Sequence, residues 1–404
     1  MNQKVVHLLC IVVLCISLTG CWSSRELSEL AIATALGIDK HEDGYKLTVQ
    51  IMNPGEIAGR QLTTRAVVTT YSTTGKTIFE ALRRLTTITP RKIYLAHLRI
   101  IIFGQELMEE EGLANSLDFI SRDHELRTDF SLAIAKDMSA EDLIKVLTPI
   151  EKVPADKIFS SLKTSQDNWA PTKVVMLDEL ISSLTSPGKQ AVLTGLYISG
   201  KPETGNHIEN VQQVDSPAKV HLDHIGVFKG DKLVGWLNES ESKGFNYITD
   251  NVLNTVGWVE CDQTGTISVE VFKSNTKLTG LADNGTPKIT IDVKSEASIG
   301  EVACQIDIND EKKLTEIEQK LEKKIEEIVN GSIAKAKEFN SDIFGFGDVL
   351  RRFEPKKWET WKENWSEEFQ NIEITVNADM KIRRTGTTTE SFIGKIEQKK
   401  EKDE

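Results

Sequence analysis

The sequence predicts a mixed α/β (α+β) protein of two to three domains, each a mixed β-sheet flanked by helices, with one long amphipathic helix in the C-terminal domain. Three observations carry that class. Short β-branched runs alternate with segments of helical period through residues 30–200. Period-two alternation, as in Lys-Ile-Thr-Ile-Asp-Val-Lys at 288–294, marks the strands of the second half. The stretch 310–339 repeats apolar residues at helical spacing.

The chain opens on a single positive charge, Lys4, and an apolar run at 5–17. That run is too short for a hydrocarbon core, which takes about 20 residues, and it has the layout of a secretory signal peptide. It ends in Leu18-Thr19-Gly20-Cys21, the lipobox pattern in which a thiol receives diacylglycerol and the chain is cut before the cysteine. Residues 1–20 are therefore expected to be a lipoprotein signal peptide, with Cys21 the lipidated residue of the mature chain. A plain signal peptide with an incidental cysteine, or a short uncleaved anchor, is the other reading.

An N-terminal α/β domain is expected over 21–200, with a division near 150 left open. It starts with a short helix capped by Ser24, then two strands at 31–39 and 45–52 around a polar turn, then a strand at 64–72. Thr77 and Glu80 have capping-box spacing, and Ile78, Leu82 and Leu85 share the face of a helix that Pro90 ends. The run 93–103 reads as one central strand, followed by a helix around Leu113, Leu117 and Ile120 and a strand at 130–135. Ser139 and Asp142 start a further helix. A helix over 172–184, a turn at Ser186-Pro187-Gly188 and a strand at 191–199 complete this half.

The breaker-rich stretch 201–217 reads as the linker, and a C-terminal α/β domain is expected over 218–397. It opens on a hairpin, 220–228 and 233–237, and a helix capped by Asn238 and Glu241. Strands are expected at 255–260, 267–273, 288–293 and 301–308. The long helix carries Leu314, Ile317, Leu321, Ile325, Ile328 and Ile333 on one stripe, with Asp310 and Glu311 at the positive end of its dipole. A Trp-rich helix, a strand at 372–383 and a disordered charged tail at 398–404 close the chain.

The formal charge of −12 argues against nucleic acid as a partner, and against adhesion to anionic lipid by charge alone. Of five cysteines, Cys10 and Cys15 lie in the signal segment and Cys21 is the lipid acceptor. Cys261 and Cys304 remain; they form either one disulfide or two separate buried thiols. No C-x-x-C, H-E-x-x-H, G-x-S-x-G or P-loop is present. His221 and His224 would fall on opposite faces of a strand, and His97 reads as a core or edge histidine, so no metal is expected. Two stretches stand out. Asp342-Ile-Phe-Gly-Phe-Gly347 sets Phe344 and Phe346 between glycines, either as core plugs in a tight turn or as an exposed docking loop. Trp358, Trp361 and Trp365 form a helical stripe that serves either the core or a protein interface.

These residues carry a resemblance. The chain resembles the Ger(x)C family, the lipoprotein C subunits of bacterial spore germinant receptors. The landmarks are Gly20-Cys-Trp-Ser-Ser-Arg-Glu-Leu27, Gly37-Ile-Asp39, Val49-Gln-Ile-Met-Asn-Pro54, Gly75-Lys-Thr-Ile-Phe-Glu-Ala81 and Tyr94-Leu-Ala-His-Leu98. In the second half they are Gly226-Val-Phe, Leu233-Val-Gly-Trp-Leu237, Ile299-Gly-Glu301, the 342–347 motif and Lys381-Ile-Arg-Arg-Thr-Gly386. Ser23 departs from the Asp that many members carry. The resemblance implies a non-enzymatic subunit without cofactor beyond the covalent diacylglycerol and N-acyl lipid on Cys21. It implies attachment to the outer face of the spore's inner membrane and assembly with the integral membrane A and B subunits in nutrient-triggered germination. The residues alone also allow a tethered small-ligand-binding lipoprotein or a cell-wall enzyme.

Overall fold

The computed structural model describes residues 3–4, 29–58, 66–261, 264–283, 285–304, 306, 308 and 310–384. The signal run, Cys21, the helix expected from Ser24 and the charged tail lie outside the described residues.

The fold is mixed α/β and rests on two sheets. The larger is built from β1 (Leu30–His41), β2 (Gly44–Met52), β3 (Val68–Gly75), β4 (Lys92–Tyr94), β5 (Ile100–Gly104), β6 (Ser131–Ala135), β7 (Val175–Met176), β8 (Val192–Gly200), β9 (Ala218–Lys229) and β10 (Lys232–Trp236). Its order is β10-β9-β8-β6-β5-β1-β2-β3, with β4 beside β1 and β7 beside β6. The central strands β1, β5, β6 and β8 run parallel. Both faces of this sheet are therefore covered: in β5, Ile101 and Phe103 enter one core while Ile100 and Ile102 enter another.

The second sheet is β11 (Thr255–Glu260), β12 (Thr266–Asp283), β13 (Thr286–Val302) and β14 (Glu373–Arg384), in that order. β13 and β14 are parallel, so the chain between them must cross over, and it does so through the helix Glu311–Glu338. Asp310 caps that helix by accepting from the Lys312 N–H at 2.9 Å. Ile317, Leu321, Ile325, Val329 and Ile333 are buried on it, in one core with Val269, Val271, Ile289, Ile291 and Val293 of the sheet.

Four expectations need correction. The hairpin β9–β10 extends the first sheet and not the second, because β9 pairs antiparallel with β8. The stretch 201–217 is accordingly a packed connection within that sheet. Its Asn210 is buried and donates to the carbonyls of Leu147 and Ala218 while accepting from the Ala218 N–H. The run 93–103 is two strands, β4 and β5, separated by a turn that leaves His97 exposed. The last strand before the long helix ends at Val302 and does not occupy 301–308. The helix Pro154–Asn168, with Ile158 and Leu162 buried, was not expected; its polar majority hides a narrow apolar face.

Gly37-Ile-Asp39 has a local physical reason. A Cβ on Gly37 would lie 2.8 Å from the Ile144 side chain, so glycine lets the helix Ala140–Ile144 sit on β1. Asp39 then accepts from the Ala140 and Glu141 N–H groups at 2.7 and 3.0 Å, capping that helix from across the sheet edge. Glu141 ties the same helix to β2 through Lys46, to β3 through Ser72 and to its own turn through Lys145. Burial pushes its carboxyl up, but these three partners win and hold it down at about 2.

Candidate functional site

The aromatic residues singled out in the sequence converge on one place, the junction between the two sheets, and they face inward. Phe344, Phe346, Trp358, Trp361 and Trp365 are all buried, the most exposed of them at 5 %. The docking role held open for them is thereby corrected: their rings fill a core. Phe344 and Phe346 pack at 5.0 Å, Trp358 and Trp365 at 5.2 Å edge to face, and Phe369 joins both groups. The expected single Trp-rich helix is two, Pro355–Trp361 and Trp365–Asn371, with a tight turn between them.

At the centre is Asp342, buried and, among the described residues, without a cationic partner at its carboxylate. One oxygen accepts from the Gly345 and Phe346 N–H groups at 2.9 and 3.1 Å. The other accepts from the Gly347 N–H at 2.9 Å and the Trp365 indole N–H at 3.0 Å. Gly345 takes φ 76°, in the region that a side chain disfavours, so that the backbone can curl around the carboxylate. Burial raises the Asp342 pKa to about 6 against the pull of these four donors.

The same motif clasps the first half of the molecule. A Cβ on Gly347 would fall 2.5 Å from the Gly188 Cα, so the two backbones touch where only glycines allow it. Around that contact the Ser186 hydroxyl donates to Asp348 at 2.9 Å, the Gln190 N–H to the Asp342 carbonyl at 2.8 Å, and the Ser341 hydroxyl to the Phe228 carbonyl at 2.6 Å. On the other side of the junction Gly235 leaves room for the Phe339 ring. Val192, Ile225 and Val227 of the first sheet belong to the same apolar core as the second sheet and its helix.

Cys261 and Cys304 form a disulfide across 43 residues, choosing between the two readings of that pair. It fastens the end of β11 to the segment leaving β13. Loop closure on that scale is worth roughly 4 kcal/mol, so Cys304→Ser should lower the unfolding free energy by about that amount and move the denaturant midpoint down, as reduction of the wild type should. An unchanged midpoint would mean that the reduced chain keeps the loop closed by packing alone.

A cleft of about 380 Å³ opens at the carboxyl ends of β1, β5 and β6, lined by Asp39, Lys40, Gln105, Glu106 and Asp137 among others. Its polar groups are largely spent on one another: Lys40 pairs with Glu106 and Glu110, and Gln105 with Glu109. His221 stacks on Tyr197 at 5.4 Å, and His224 contacts Asp223 at 2.8 Å. Among the described residues no three metal-binding side chains converge.

Comparison with known proteins decides the identity. The family model described as "Spore germination protein N-terminal domain" matches residues 23–197, and "Spore germination B3/ GerAC like, C-terminal" matches 223–386. Spore germination protein KC of Bacillus subtilis (strain 168) is 34 % identical over 92 % of this chain and 93 % of its own length. The chain belongs to the Ger(x)C family. Spore germination protein B3 of the same organism is 25 % identical over 92 % of this chain and 96 % of its length. A crystal structure of the GerBC protein, 22 % identical, covers 89 % of this chain and all of that one with a TM-score of 0.53, which shows the shared fold. Relatives across the Ger(x)C family are named as spore germination proteins.

Proposed function

We propose that this chain is the lipid-anchored, non-catalytic subunit of a spore germinant receptor. It is held on the outer face of the spore's inner membrane by acyl chains on Cys21 and acts by assembling with the integral membrane A and B subunits. Membership in the Ger(x)C family along nearly the whole chain carries this reading. The fate of the titratable groups supports it: the two most enclosed carboxylates among the described residues, Asp39 and Asp342, are committed to backbone and indole donors that shape the fold. The lipidated terminus and the folded body have separate tasks, attachment and protein contact. Tagged protein extracted from spore membranes in mild detergent should bring down two multi-spanning polypeptides in comparable amounts, identified by mass spectrometry. Recovery of the chain by itself under conditions that preserve other membrane complexes would count against assembly.

A further inference from the structure

One aromatic near the buried cluster faces outward. Phe353, at the end of the helix Phe346–Phe353, is 48 % exposed, whereas the phenylalanines and tryptophans on either side of it are inside. It stands among Arg351, Arg352, Lys356 and Lys357, all exposed, with Glu354 the single carboxylate in that short stretch. Nearby acids are already engaged, Asp348 by Arg351 and Glu359 by Lys362. The side chains of Arg352, Lys356 and Lys357 make no ion pair among the described residues. Lys356 and Lys357 also occupy the first turn of the helix Pro355–Trp361, where the helix dipole disfavours cations. Stability does not account for lysines at that position. On a chain of net charge −12, this knob is a local excess of positive charge around an exposed ring.

We propose that the Arg352–Phe353–Lys356–Lys357 knob is a second membrane contact, which docks on anionic phospholipid. Charge complementarity selects an anionic partner, and an aromatic ring among cations suits the headgroup boundary of a bilayer. The inference rests on the tethered reading of Cys21, because acyl chains there keep the body beside the bilayer, where a weak basic patch meets lipid at high local concentration. The acidic remainder of the surface is repelled by the same bilayer, so the knob would also orient the body on its tether.

The test uses the full chain, sedimented with vesicles of phosphatidylcholine alone or of an equal mixture with phosphatidylglycerol. Lys4 and the apolar 5–17 run are common to wild type and variants, so their share drops out when the proteins are compared on the same vesicles. Wild-type partitioning should rise about 10- to 100-fold on the anionic vesicles, by the field acting on the three unpaired cations, and fall as salt is added. The Arg352→Gln/Lys356→Gln/Lys357→Gln variant should lose most of that preference for the anionic vesicles, and Phe353→Ser should weaken binding to them. Equal wild-type binding to the two vesicles overturns the proposal, and that comparison needs no variant to fold. Germination lost in the triple variant without lipid discrimination by the wild type overturns it too, in favour of an acidic protein surface. A failure of the tether itself shows separately, in the behaviour of Cys21→Ala.

Discussion

Asp342→Ala should lower the unfolding free energy by about 3–5 kcal/mol, a loss of roughly 4–6 °C in melting temperature for a chain of this size. The size follows from the donors left behind. Three backbone N–H groups and the Trp365 indole point at that carboxylate from inside a core that admits no substitute acceptor. Asp342→Asn keeps the volume but turns an NH2 group toward N–H donors, so it should lose nearly as much. The net worth of the ionised group is smaller than the cost of removing it, since a buried charge is expensive to desolvate. That difference has a pH signature. The folded pKa, about 6, is above the unfolded value of 3.8, so folding takes up a proton between them. The contribution from this group is full below the unfolded value and is lost as pH rises through about 6. Chemical denaturation of wild type and Asp342→Asn across that window should show a steeper fall in stability in the wild type than in the variant. Equal slopes, or a melting temperature unmoved by Asp342→Ala, would mean that the glycines and rings hold the junction without the carboxylate.

The second large effect is functional. Cys21→Ala should reduce germination through the cognate receptor by about a hundredfold or more, with the folded body's melting temperature unchanged. The first described strand, β1, begins at Leu30, several residues beyond Cys21, the proposed site of attachment. A tether changes no contact; it raises the local concentration of the subunit beside its partners, and effects of about 100- to 10,000-fold arise that way. Grafting an unrelated single-span anchor onto the Cys21→Ala chain should then restore much of the response. Normal germination by acyl-free protein released into the aqueous phase would show that attachment at Cys21 is dispensable.

Much of the junction was legible as an anomaly before it was legible as a site. Two aromatics between glycines, and three tryptophans at helical spacing, mark residues under unusual constraint, but their local pattern is the same whether they enter a core or a partner's pocket. Deciding between those needs the far side of the contact, and that far side is Gly188 and Phe228, remote in sequence. Phe353 is the converse case: in Val-Leu-Arg-Arg-Phe it extends an apolar face in sequence, and only its environment shows that the face ends before it. The breaker-rich stretch at 201–217 misled because polar composition signals a surface turn, whereas a buried Asn210 can satisfy the backbone of a connection inside one sheet.

Local interactions write themselves into a sequence, and those were determined by it: the caps at Thr77, Ser139 and Asn238, the acidic start and apolar stripe of the long helix, and the mixed α/β class. Family membership was likewise determined by the ordered landmarks. Only the tertiary structure decided that β9 and β10 close the first sheet, that Cys261 pairs with Cys304, and that one carboxylate gathers four donors where the halves meet. Those depend on groups tens to hundreds of residues apart being brought together. Their energy comes from burial and from satisfying polar atoms away from water, quantities that exist only once the chain has folded.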